Sequence, residues 1–121
     1  MRKEDMVDRT RRFALRVIRL VSSLPNERTA DIIARQVLRS GTAIGANYRE
    51  ATRAATKKHF DSILSIALRE ADETLYWLEL LRDAKLVRAH LLRDLVDECN
   101  QLVAMLAASV KTAANRGKTQ K

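Results

Sequence analysis

Arg39-Ser40-Gly41-Thr42-Ala43-Ile44-Gly45-Ala46-Asn47-Tyr48-Arg49-Glu50-Ala51 keeps a helical period while breaking the rules of an ordinary helix. Extended toward the N-terminus, its seam reads Ile33, Val37, Ser40, Ile44, Asn47 and Ala51. These steps of four and three lie along one side of a helix. Ser40 and Asn47 put polar groups on that seam, and Gly41 and Gly45 stand beside it. Each helical glycine costs about 1 kcal/mol relative to alanine. The pair therefore predicts a place where another helix comes close, within a protomer or between two. A glycine loop cradling phosphate is the sharper use of such spacing, but no strand precedes and no Gly-Lys-Ser/Thr directly follows.

Outward from this stretch, the 121 residues make one domain, and 46% hydrophobic content is enough for one core. Three glycines and one proline are too few breakers for a sheet protein with many turns, so the fold is expected to be all-α. The first helix is predicted from Asp5 to Leu24, with Phe13, Val17, Leu20 and Leu24 inward, and Pro25 ends it. Asn26 or Thr29 caps the second, which runs to about Ala55, and Thr56 caps the third. The third seam is Phe60, Leu64, Ala67, Ala71, Leu75, Leu78 and Leu81; the turn follows at Ala84 to Arg88. The fourth carries Leu92, Leu95, Cys99, Leu102, Leu106, Ser109 and Ala113. Short turns between helices of this length predict an up-down-up-down antiparallel four-helix bundle over residues 1–114, followed by a basic disordered tail over 115–121.

Two helices are apolar over more than one stripe. Val96, Val103 and Val110 flank the fourth seam, and Ala30, Ala34, Leu38, Gly41, Gly45 and Tyr48 form a second line on helix two. Trp77 lies off the third seam. Either the bundle packs broadly, or these flanks, with Tyr48 and Trp77, bury against other subunits. The single Cys99 falls on an apolar line, which points to a buried thiol and fits a reducing cytoplasm. No apolar run reaches the roughly 20 residues of a membrane span, and no signal-peptide pattern opens the chain. A cytoplasmic protein without a membrane partner is expected.

The quoted stretch, then Phe60, then Ile66-Ala-Leu-Arg-Glu-Ala-Asp-Glu-Thr-Leu-Tyr-Trp-Leu-Glu-Leu-Leu, resembles the four-helix-bundle proteins encoded in 23S ribosomal RNA intervening sequences, nearly end to end. The chain departs at Gly41, where other small polar residues are common, and in a more basic balance. The resemblance implies a homo-oligomeric, pentameric barrel without catalytic residues. It extends to the accessory variability determinants of diversity-generating retroelements, basic bundles that associate with a reverse transcriptase and its RNA.

The residues themselves suggest an acidic partner. Net charge is +8, which favours nucleic acid first. At 100° per residue, Arg28, Arg35, Arg39, Arg49 and Arg53 fall within an arc of about 80° opposite the seam, and Lys57 and Lys58 follow. Asp31 and Glu50, at helical spacing from Arg35 and Arg53, offer the alternative of a merely solvated face. Aromatic residues are only 4% of the chain, so recognition of RNA or DNA is expected through phosphates rather than stacking.

Glu70 and Glu73 lack the Glu-x-x-His partners of di-iron bundles, so no metal or other cofactor is expected. They should instead accept hydrogen bonds from Asn47, Tyr48 or an arginine of helix two. No histidine or serine sits in a catalytic motif. The expected protein is thus a non-enzymatic, homo-oligomeric nucleic-acid-binding accessory, with a reverse transcriptase as a candidate partner. The competing reading is a structural scaffold whose basic face binds nothing specific.

Overall fold

The computed structural model describes residues 2–119, and side chains through Arg116. Four helices follow one another: α1 (Lys3–Ser23), α2 (Arg28–Thr52), α3 (Lys57–Asp83) and α4 (Ala89–Thr119). Among the described residues there is no strand. Connections of four or five residues turn each helix back along its predecessor, so α2 packs against α1 and α3, and α3 against α4. The bundle closes between α1 and α4, its loosest seam.

The helix ends follow local chemistry. Leu24 is extended ahead of Pro25 and ends α1, as the residue before a proline should. The cap of α2 is Glu27, not Asn26 or Thr29: its carboxylate accepts from the backbone N–H groups of Thr29 (3.1 Å) and Ala30 (2.9 Å). Thr56 caps α3 by accepting from His59 N–H at 3.1 Å. The α3–α4 turn uses Lys85 at φ 59°, a left-handed position where glycine is usual, and Leu86 N–H returns to the Leu81 carbonyl at 3.0 Å.

Two expectations about extent are corrected. Helix α2 stops at Thr52 rather than near Ala55. The backbone of α4 stays helical to Thr119, past the Asn115 at which the tail was expected to begin; Gln120 and Lys121 of that tail lie outside the described residues. Ser109, placed on the α4 seam by period alone, is exposed and bonds the Met105 carbonyl of its own helix.

The core explains the broad apolar faces. On α2, Val37, Ile44 and Ala51 of the first line are buried, and so are Ala30, Ala34 and Tyr48 of the second. One line faces α3 and the other α1, so the width is used inside the protomer except at Leu38, which stays exposed. Val96 is likewise buried, and Val103 and Val110 pack against the core. The glycines permit the α1–α2 approach. A Cβ on Gly41 would lie 2.9 Å from Val17 Cγ2, and one on Gly45 3.3 Å from the Thr10 carbonyl carbon and oxygen.

Ser40 belongs in the core because its hydroxyl is satisfied. Ser40 Oγ donates to the Gln36 carbonyl (2.9 Å), and Thr74 Oγ1 lies 2.8 Å from Ser40 Oγ and 2.7 Å from the Glu70 carbonyl. Both residues are fully buried, and buried hydroxyls need such partners. The pair is a directional bond across the buried part of the α2–α3 contact.

Candidate nucleic-acid interface

The four arginines of α2 and its C-cap Arg53 divide by what they touch. Arg39 leans across to α3, where Nη1 donates to Glu70 Oε2 at 3.3 Å and Nη2 donates to Glu73 Oε2. Glu73 also accepts from Trp77 Nε1–H at 3.3 Å. This arginine–carboxylate–indole chain joins two helices within one protomer. Asn47, expected in the same network, is not part of it: its amide donates to the Ala43 carbonyl of its own helix at 2.8 Å. Tyr48 is also buried inside the protomer, where burial first, and the charge of Glu4 second, pushes its hydroxyl pKa upward.

Arg35 stands 4.0 Å from Asp31, both mostly exposed. Arg28, Arg49, Arg53, Lys57 and Lys58 are exposed and make no ion pair with another described residue. The continuous stripe expected from the helical wheel is therefore interrupted at Arg39, with Arg28 left alone at the N-terminal end of α2. The free cations gather at the other end, around the elbow where α2 gives way to α3.

The elbow also collects charges from the chain ends. Lys3 of α1 and Arg116 of α4 line the same depression as Lys57 and Phe60, and Lys3 Nζ sits 4.2 Å above the Phe60 ring. Arg116 approaches Asp61 at 3.9 Å. Lys57 and Lys58 open α3 with no acid in its first turn. A helix N-terminus carries partial positive charge, so cations there cost stability unless an anion is near. Arg53 caps the end of α2 in the loop itself. Lys3 and Arg116 lie too far along the chain for spacing to have found them; only the antiparallel topology brings them here.

Charge is also divided between layers. Residues 1–58, which make α1, α2 and the start of α3, carry 14 Lys and Arg against 6 Asp and Glu; residues 59–110 carry 5 against 9. A polyanion is thus attracted to the α1–α2 side and the elbow, and repelled from much of α3 and α4. The acidic side includes Glu98, whose carboxylate accepts two 2.7 Å bonds from Arg9 of α1. The Arg9 hydrogen bond outweighs burial and holds the Glu98 pKa below its ordinary value.

The 23S rRNA-intervening sequence protein model matches residues 2–108, all but the end of α4. The chain belongs to this family. A solved structure supports the placement: a protein of the S23 ribosomal protein family from Bacteroides thetaiotaomicron, described as of unknown function, is 37% identical. The alignment covers 87% of this chain and 97% of that one, with a TM-score of 0.80. No curated protein matches. For this 23S rRNA-intervening sequence protein, the resemblance in the quoted stretch is one of family as well as fold.

Other chemistry finds little footing. No three His, Cys, Asp or Glu side chains come together as metal ligands among the described residues. Cys99 is buried, its Sγ 3.4 Å from the Ala71 carbonyl; burial, with Asp72, Glu79 and Glu98 adding to it, pushes the thiol pKa up to about 12. Such a thiol is a poor nucleophile. No helix among the described residues is long and apolar enough to cross a membrane.

Proposed function

We propose that this protein is a non-enzymatic, homo-oligomeric nucleic-acid-binding protein that engages RNA or DNA through phosphates at the α2–α3 elbow. The observation that carries this reading is the gathering of Arg49, Arg53, Lys57 and Lys58, none of them paired with another described residue, beside Lys3 and Arg116. Cations left unpaired around a helix N-terminus repel one another and the macrodipole, and phosphates would relieve both. The family's description refers to a sequence interrupting 23S rRNA, which makes structured RNA the first ligand to try.

The test is Arg49→Gln/Arg53→Gln/Lys57→Gln, with binding followed by fluorescence anisotropy over a range of salt. Each phosphate neutralised contributes about −0.9 to the slope of log affinity against log salt for a duplex. The triple variant should flatten the slope by roughly 2 to 3 units if each cation meets one phosphate. Parental affinity and slope in a variant of unchanged helicity and mass would overturn the reading, leaving a scaffold with a solvated basic face.

A further inference from the structure

Phosphate contact leaves one feature of the elbow unused. Between the end of α2 and the start of α3 lies a broad depression of about 760 Å³ that is open to solvent. Ala46, Ala54 and Ala55 give it methyl-lined walls, Arg49 and Arg53 stand at its edge, and Glu50 and His59 complete the lining. Glu50 makes no ion pair with a described residue. Bare phosphate does not account for this set: a carboxylate beside the two arginines opposes an anion, and alanine methyls offer it nothing.

We propose that the depression receives one unpaired nucleotide of an RNA or DNA strand, so that the protein prefers a strand with an extruded base to a continuous duplex. The proposal rests on phosphate binding at the elbow. Arg49 and Arg53 hold the phosphates flanking the base, the alanine methyls cover its apolar face, and the His59 imidazole supplies a plane on which it stacks. Glu50 is acceptor-only when ionised, so it favours a base that presents an amino group, cytosine N4 being the simplest case. A bulged base requires the least unstacking to enter such a pocket.

The probes are a short DNA duplex, the same duplex with one bulged cytosine or one bulged thymine, and their RNA counterparts. Anisotropy titrations at one fixed salt are expected to give about tenfold tighter binding to the cytosine bulge than to the continuous duplex. Comparison of the DNA and RNA sets identifies which strand fits better. Ala46→Leu and, independently, Ala55→Leu fill the depression while keeping every cation, and each should bring the bulge-to-duplex ratio close to one. Glu50→Ala, an exposed helical change that does not crowd the fold, should abolish the preference for cytosine over thymine.

Equal parental binding of bulged and continuous duplex overturns the proposal, as does an unchanged bulge preference in folded leucine variants together with an unchanged base preference in Glu50→Ala. If the glutamine triple variant still weakens binding to every probe, the phosphate reading survives that failure. If it weakens none, both fall.

Discussion

Arg39 and Glu73, 34 residues apart, form an ion pair that ties α2 to α3, with Glu70 as the second carboxylate. Arg39 looks equivalent to Arg49 and Arg53 on a helical wheel, yet it is engaged inside the protomer. The consequence is separable. Arg39→Gln should cost roughly 1 kcal/mol of stability, the upper end for a half-exposed pair, and should leave the salt slope of nucleic-acid binding unaltered. A double-mutant cycle of Arg39→Gln with Glu73→Gln by urea unfolding measures the coupling. A coupling energy of zero would show that the pair holds nothing.

The two glycines should respond unequally to alanine. Each substitution gains about 1 kcal/mol of helix propensity, but overpacking a filled contact costs about 1 to 3 kcal/mol. At Gly41 the new methyl meets Val17 Cγ2 at 2.9 Å; at Gly45 it meets Thr10 backbone at 3.3 Å. Val17 is stiff at χ1 and fully buried. Gly41→Ala is expected to lose about 1 kcal/mol net and Gly45→Ala less, both read by thermal or urea unfolding. A gain at Gly41 would contradict the close approach.

The Arg9–Glu98 pair makes stability depend on pH in a definite direction. The folded-state pKa of Glu98 is held below the ordinary 4.5, so unfolding raises proton affinity at this site. Its stabilisation is complete above that ordinary value and disappears as pH falls through the depressed one. Hydrogen bonds to a charged partner suggest about 1 to 2 kcal/mol at neutral pH. Glu98→Gln should be less stable than the parent at pH 7, with the difference shrinking on acidification below 4.5. A difference that stays constant with pH would mean that the carboxylate charge is irrelevant.

Cys99 should resist a thiol reagent in the folded protein. Its thiol is fully buried and its pKa is pushed to about 12, so at pH 8 the thiolate fraction is about one in ten thousand. Reaction with an aromatic disulfide reagent is expected to appear only on unfolding, at a rate that rises with denaturant. Rapid stoichiometric labelling under native conditions would contradict the burial.

Self-association is expected from what remains exposed after the bundle is formed. The second apolar lines of α2 and α4 are used internally except at Leu38, which is 36% exposed; Ile32 is 61% exposed, Leu91 59% and Tyr76 55%. Light scattering coupled to gel filtration should give a multiple of the 13.7 kDa chain mass. A single 13.7 kDa species at high concentration would restrict these residues to ordinary surface.

The fold was legible because its signals are local. Pro25 stops α1, Thr56 caps α3, and the three-and-four period marks the inward faces. Glu27 escaped notice because Asn26 and Thr29 are commoner caps, and only backbone geometry ranks the three. Ser109 was placed on the seam by a step of three from Leu106, whereas the inward face continues through Val110. Asn47 looked like a network residue because it interrupts an apolar seam, whereas a side chain in a helix can satisfy itself on the preceding turn. The interface was legible only as composition. Which arginines are free depends on the α2–α3 register, and Lys3 and Arg116 join the elbow through contacts that no sequence spacing encodes.

The Ser40–Thr74 hydroxyl contact sets how this molecule deforms. Sliding α2 along α3 would break the one hydroxyl–hydroxyl contact between them and leave each hydroxyl only its own-helix carbonyl, whereas an apolar contact would tolerate the shift. The glycine approach binds α1 to α2 in the same unyielding way. Between α1 and α4 there is little besides the Arg9 latch. The bundle therefore yields by splaying rather than by shear, its softest coordinate being the angle between the first and last helices. Protonation of Glu98, which discharges the latch, loosens that angle.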